Sequence, residues 1–119
     1  GAGNDTMYGD GGSDVMIGGA GDDVMYGGDG NDLFVFGGAN DTSVSGSDWI
    51  NGGADFDTIQ LNGTEGWTLT VTNDFGDESV ITSDTAQMDD YQDVSGLTGQ
   101  IDFDDGSTII FEGVEKVEW

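Results

Sequence analysis

The chain has no cysteine, no histidine and a single basic residue, Lys116, among 119. Without cysteine there is no disulfide and no thiolate metal site. Without histidine, zinc and copper sites and imidazole catalysis fall away. Against Lys116 stand 25 acidic residues, for a formal charge of −24. That excess excludes nucleic acid as a partner, because phosphate contacts need Lys and Arg. It excludes an anionic membrane surface for the same reason. No apolar run approaches the length of a membrane span. No signal peptide or start methionine is visible, and the chain opens in mid-repeat at "GAGNDTMYG", so a piece of a longer protein is expected.

Carboxylates, carbonyls and hydroxyls remain as the chemistry-bearing groups. Such oxygens suit hard cations, calcium or magnesium. Apolar residues make up only 34%. A chain this charged either stays disordered, because burial cannot offset its chain entropy, or folds around cations that neutralise it.

The acids are not scattered. Asp5, Asp14, Asp23, Asp32 and Asp41 stand nine residues apart, and Asp48 and Asp57 keep the same interval after a break of seven. Two places after the first four come Met7, Met16, Met25 and Phe34; after the break come Ile50 and Ile59. Glycines fill the places before each acid, as in "GGAGDD" and "GGDGND". A flexible glycine-rich linker has no reason to hold a bulky apolar residue at fixed phase from an acid.

Each nonapeptide divides into a six-residue turn and a three-residue strand. Glycine permits the positive φ of a tight loop, and "TMY", "VMI", "VMY" and "LFV" are rich in sheet formers. Side chains alternate along a strand, so the central Met7, Met16, Met25 and Phe34 are expected inward. Two repeats complete one coil, and odd and even strands build two parallel sheets. Turns eighteen residues apart then stack about 4.8 Å apart, carrying their aspartates with them. Close carboxylates repel by about 1 kcal/mol per pair in water and several-fold more near protein. A divalent cation between stacked turns reverses that sign, and calcium accepts six to eight oxygens in irregular geometry.

The pattern G-G-x-G-x-D-x-U-x over residues 1–61 resembles the repeats-in-toxin (hemolysin-type) family of secreted proteins, whose repeats bind calcium. The resemblance implies a ligand set of turn carbonyls and aspartates drawn from stacked turns. Gly1, Gly3 and Asp5 would face Gly18, Ala20 and Asp23. Asp10, Gly12 and Asp14 would face Gly27, Asp29 and Asp32. Gly19, Gly21 and Asp23 would face Gly38 and Asp41, with Phe36 lending a carbonyl. Asp32 would pair with Asp48 through Gly28, Gly30 and Ser45, and Asp41 with Asp57 through Gly37, Gly52 and Ala54. Roughly three to five calcium ions would be held. Asp10 stands where glycine is usual, with its side chain expected in water. Asp22, Asp55 and Asp77 fall off the beat and are expected to be solvated turn residues.

After "DTIQLNG" the repeat ends. "WTLTV" (67–71), "SVITS" (79–83), "GQIDF" (99–103), "STIIF" (107–111) and "VEKVEW" (114–119) read as antiparallel strands. "DDGS" (104–107) reads as a hairpin turn and "DFGDE" (74–78) as a loop. A stacked roll leaves open strand edges and an uncovered core at its end, so residues 62–119 are expected to cap it. Trp49, Phe56, Trp67, Phe103, Phe111 and Trp119 are the expected junction and cap core. The predicted fold is all-β: a calcium-bound parallel β-roll over 1–61, then an antiparallel, sandwich-like cap over 62–119.

The resemblance implies a secreted, monomeric, calcium-dependent folding module of a bacterial protein exported by the type I secretion apparatus. Extracellular modules bind calcium at about 10⁻⁴–10⁻³ M, so such a chain would stay unfolded inside a cell. An enzyme reading would need paired acids across a cleft; Asp104 with Asp105, or Asp89 with Asp90, are neighbours that point apart, so no catalytic residue is expected. A calcium-dependent adhesin or carbohydrate-binding module is the alternative, with Trp67 or Tyr91 as a stacking platform.

Overall fold

A computed structural model of the chain describes residues 3–37, 46–62, 66–82, 91–104 and 106–119. The first six strands follow the repeat: β1 (Thr6–Tyr8), β2 (Val15–Met16), β3 (Val24–Asp29), β4 (Leu33–Gly37), β5 (Ser47–Ala54) and β6 (Thr58–Asn62). As the two-repeat coil requires, β1, β3 and β5 pair in parallel in one sheet, and β2, β4 and β6 in the other. Val24 lies beside Thr6 and Leu33 beside Val15, a shift of one coil.

The following coil is longer, and it corrects the expected stacking. Val24 pairs with Trp49 and Leu33 with Thr58. Asp23 therefore stacks on Asp48, not on Asp41, and Asp32 stacks on Asp57, not on Asp48. Asp41 itself, with Gly38 and Ser45, lies outside the described residues, as does Gly1. The physical reason is a missing core side chain. Two places after Asp41 stands Ser43, whereas Ile50 and Ile59 follow Asp48 and Asp57 and are fully buried. A layer must fill its share of the core, and the Asp41 repeat carries a serine at the place where its neighbours carry an apolar side chain.

The second half adds β7 (Trp67–Thr72), β8 (Glu78–Thr82), β9 (Tyr91–Asp93), β10 (Thr98–Phe103), β11 (Thr108–Glu112) and β12 (Lys116–Glu118). The sheet orders are β1-β3-β5-β11-β10-β7-β8 and β2-β4-β6-β12-β9. Antiparallel pairing holds for β10 with β11, β10 with β7, β7 with β8 and β12 with β9. On their other edges β11 and β12 lie parallel to β5 and β6, a pairing the expectation of antiparallel strands did not include. The chain thus adds one more parallel layer to each sheet before the direction reverses. The 104–107 turn closes the β10–β11 hairpin, with the Phe103 N–H donating to the Ser107 carbonyl at 2.9 Å. In the 73–77 loop, Asn73 Oδ1 accepts from the N–H groups of Phe75 and Asp77.

One apolar cluster runs through both halves. Met16, Met25, Phe34, Ile50 and Ile59 supply it from the repeats, and Leu69, Val71, Ile101, Ile109, Phe111, Val114 and Val117 continue it. Met7, in edge strand β1, is only partly buried against it. Of the expected junction aromatics, Trp67 and Phe111 are buried, and Phe103 and Trp119 pack against the cluster. Trp119 tilts on Trp67 at 5.2 Å. Two expectations fail. Phe56 is 48% exposed in the turn before Asp57. Trp49 alternates with the buried Asp48 and Ile50, so it lies on the outer face, edge-on to Tyr26.

Phe111 in β11 lies beside Ile50 of β5, where the two halves meet. A methyl group placed on Gly99 would come within 2.6 Å of its ring. Phe111→Ala should destabilise the fold by about 3–5 kcal/mol, read as a shift in the denaturant midpoint at constant slope.

Candidate cation-binding turns

The beat of the aspartates becomes two columns of carboxylates. In the first, the Asp5 N–H donates to Asp23 Oδ1 at 2.8 Å, and the Asp23 N–H to Asp48 Oδ1 at 3.0 Å. In the second, the Asp14 N–H donates to Asp32 Oδ1 at 2.9 Å, and the Asp32 N–H to Asp57 Oδ1 at 2.8 Å. Each carboxylate is therefore seated by the backbone of the layer before it. Asp23, Asp32, Asp48 and Asp57 are buried, an unusual place for acids.

The second oxygen carries the information. Oδ2 of Asp14, Asp23, Asp32 and Asp57 is buried with no hydrogen-bond partner. Each points into its own turn, towards the glycine five places earlier. A methyl group on Gly18 would meet Asp23 Oδ2 at 2.6 Å, and one on Gly9 would meet Asp14 Oδ2 at 2.7 Å. On Gly27 and Gly52 it would meet Asp32 Oδ2 and Asp57 Oδ2. The carbonyl of the next layer crowds the same spot: Gly27 O over Gly9, Gly52 O over Gly27 and Gly113 O over Gly52. Only glycine leaves room for this convergence of oxygens. Among the described residues no three acidic side chains cluster, so a cation here would have to draw on carbonyls as well as carboxylates. An all-oxygen, partly backbone donor set around an orphaned buried carboxylate oxygen fits calcium.

Turn geometry brings together two of the expected ligand groups. The Gly3 N–H donates to the Ala20 carbonyl, and the Gly12 N–H to the Asp29 carbonyl, both at 2.8 Å. Asp10 takes a positive φ of 72° with an exposed side chain, standing in for a glycine as the sequence suggests. The later groups are re-paired by the longer coil. Gly21 packs on Gly46, Gly28 on Gly53, and Asp29 pairs with Ala54. Gly52, Ala54 and Asp57 thus face the 27–32 turn, not Asp41. Gly28 and Gly30 face the 53–55 turn, not Ser45. Gly37 is the last residue of β4, paired with Asn62, and the Phe36 side chain is fully buried.

Two features escape a reading of the aspartate beat. The residues before Asp5, Asp23 and Asp32 build a second ladder of opposite polarity. Asn4 Oδ1 accepts from the Asp22 N–H, Asp22 Oδ1 from Ser47, and Asn31 Oδ1 from Phe56. Asp22 and Asp55 are exposed, as expected, but each accepts a backbone N–H across layers, Asp55 from Gly30 at 3.1 Å. Secondly, Glu115 extends the second column. Its Oε2 accepts from the Asp57 N–H at 2.8 Å. The signal was present: Val117 stands two places after Glu115, in the phase of every earlier acid and core residue.

Among the described residues no rival site is assembled. Trp67 is buried beneath Trp119 and offers no face to a sugar. The Tyr91 side chain is not among those described, and Asp89, Asp90 and Asp105 lie outside the described residues. Asp104 sits exposed at the hairpin turn.

Burial pushes Asp57 up from 3.8 to about 6. The Asp32 N–H it accepts opposes this, and the charges of Asp32, Glu115 and Asp55 add to it. The folded chain thus holds this proton more tightly than the unfolded chain does. That contribution to metal-free stability is complete below the ordinary carboxylate range and lost as pH rises through about 6. In metal-free protein, circular dichroism should show sheet content falling as pH goes from 5 to 7; a rise would contradict the assignment. Gly52→Ala should cost about 3 kcal/mol or more. Gly11→Ala, with open space around it, should stay within about 0.5 kcal/mol. Thermal melts in calcium compare the two.

The profile of one protein family, the RTX calcium-binding nonapeptide repeat (4 copies), matches residues 1–16, 8–42 and 43–64. No curated protein and no solved structure matches the chain significantly.

Proposed function

Since this chain belongs to the RTX calcium-binding nonapeptide repeat family, and is therefore a calcium-binding module, we propose that it is a calcium-dependent folding unit of a protein exported by type I secretion. It stays unfolded where calcium is scarce and winds up outside the cell. Residues 1–61 form the calcium-dependent roll and residues 62–119 its cap. The observation that carries this reading is the set of four buried Oδ2 atoms without a hydrogen-bond partner, each aimed at a glycine of its own turn and three of them, those of Asp14, Asp32 and Asp57, beside a carbonyl of the next layer.

A bound divalent cation supplies positive charge and replaces the lost hydration of these oxygens. The residues assigned to hold it are the stacked pairs Asp5 and Asp23, Asp23 and Asp48, Asp14 and Asp32, and Asp32 and Asp57, with carbonyls of their turns. Asp23 and Asp32 each stand in two pairs, so filling one gap orders half of the next. Ligand binding that favours only the folded chain stabilises it by mass action. The weak, millimolar range typical of extracellular modules keeps the chain unwound inside the cell. The charge of −24 helps hold the metal-free chain open by self-repulsion. The module needs no catalytic group, and the family is a structural calcium-binding one. No helix among the described residues is long and apolar enough to cross a membrane.

Circular dichroism should report a disordered chain in chelator at pH 7 and a sheet spectrum in millimolar calcium. Magnesium, which demands octahedral geometry and keeps its waters, should do far less; sheet structure that forms equally well in chelator would refute the proposal. Asp23→Asn should raise the calcium midpoint several-fold and flatten the transition. Asp55→Asn, which touches only an exposed ladder bond, should shift it less.

A further inference from the structure

The two carboxylate columns end differently. In the first, β5 is followed by β11, and the residue beside Asp48 is Ile109, fully buried. An apolar side chain there closes the column. In the second, β6 is followed by β12, and Lys116 pairs with Thr58, which places Glu115 beside Asp57. An acid stands where an apolar residue would have ended the column. Residues 113–117 lie outside the repeat match, which stops at residue 64.

These residues reproduce both halves of a repeat turn in shortened form. Gly113 O sits over Gly52 as Gly52 O sits over Gly27 and Gly27 O over Gly9. Glu115 Oε2 takes the Asp57 N–H as Asp57 Oδ1 takes that of Asp32. Val117 fills the core place of Ile59. Gly9, Gly18, Gly27 and Gly52 stand five places before their acid, but Gly113 stands only two places before Glu115. The side chain is one methylene longer than aspartate. Lys116, the chain's only basic residue, forms an ion pair with Glu118 at 3.1 Å. Asp57 is fully buried, and its Oδ2 has no partner in the gap beneath Gly113 O.

We propose that residues 113–115 complete a terminal divalent-cation site with Asp57 and the turn that begins at Gly52. The cap then supplies half of the last site rather than only an apolar cover. The inference rests on the calcium-module reading above.

The deciding variant is Glu115→Gln. Its amide oxygen still accepts the Asp57 N–H, so a role limited to that hydrogen bond survives, while the charge is lost. Equilibrium dialysis of the full chain in calcium chloride, with bound metal counted by mass spectrometry, should find one ion fewer than in the native sequence. The midpoint of the calcium titration should rise several-fold. An unchanged stoichiometry in a folded variant overturns the proposal. Should the variant fail to fold, crystals of the native chain grown in calcium decide: an anomalous peak between Asp57 and Gly113 supports the site. Peaks at the Asp23–Asp48 and Asp32–Asp57 gaps with none at this one sink the terminal site alone. A native chain that takes up no calcium at all sinks the folding module with it.

Discussion

Everything in this fold answers to one constraint: acidic side chains stacked about 4.8 Å apart and turned inward. Asp23, Asp32 and Asp57 are each held by one oxygen and bare on the other. The backbone N–H that seats Oδ1 of Asp23, Asp32, Asp48 or Asp57 is worth about 1.5–3 kcal/mol, as a hydrogen bond to a charged group. The opposing terms are larger. Neighbouring charges repel by about 3 kcal/mol at the effective dielectric of a protein surface, and a buried ion loses several kcal/mol of hydration. Without counter-charge the columns work against the fold. With the cations proposed above, the same columns would bind successive layers together.

The rest of the repeat follows from making room for that counter-charge. The glycine five places before Asp14, Asp32 or Asp57 gives up its side chain to a carboxylate oxygen and the next layer's carbonyl. The residue two places after the aspartate fills the core, which keeps the two sheets at a fixed separation. The residue immediately before it, Asn4, Asp22 or Asn31, carries the second ladder on the exposed side. Its bonds run from later N–H to earlier side chain, opposite to the aspartate column. Adjacent layers are thus tied in both directions, and a slip in register would break both ladders at once.

Much of this was legible in the sequence because the repeat has a strict period. Pairing of Asp5 with Asp23 and Asp14 with Asp32 follows from eighteen residues per coil, and the Met and Phe row at the core follows from strand alternation. The period misled where it was trusted on aspartate alone. Asp41 keeps the beat, but Ser43 cannot fill the core, so the next layers belong to Asp48 and Asp57. Requiring both the acid and the apolar residue would have given the register. The same pair of requirements finds Glu115 and Val117, hidden because their turn has lost its glycine-rich interior. Phe56 was misplaced for a different reason: hydrophobicity suggested the junction, but its position before Asp57 puts it on the outer ladder. The parallel pairing of β11 and β12 was not readable from local pattern at all. Alternation fixes which face a side chain takes, not which way the neighbouring strand runs.

That parallel pairing matters to how the two halves depend on each other. A cap that only covered the apolar end could have crossed it at any angle. Here β11 and β12 repeat the roll's own register, so the final repeat layer meets the same hydrogen-bond frame it would meet from another repeat. Because each aspartate column donates from earlier N–H to later carboxylate, the last N–H, that of Asp57, must find its acceptor beyond the repeats. Glu115 is that acceptor. The roll therefore cannot satisfy its own final layer, and the C-terminal residues cannot complete their sheets without β5 and β6. Each half leaves open what the other closes, which favours one cooperative transition over the layer-by-layer fraying open to an uncapped stack.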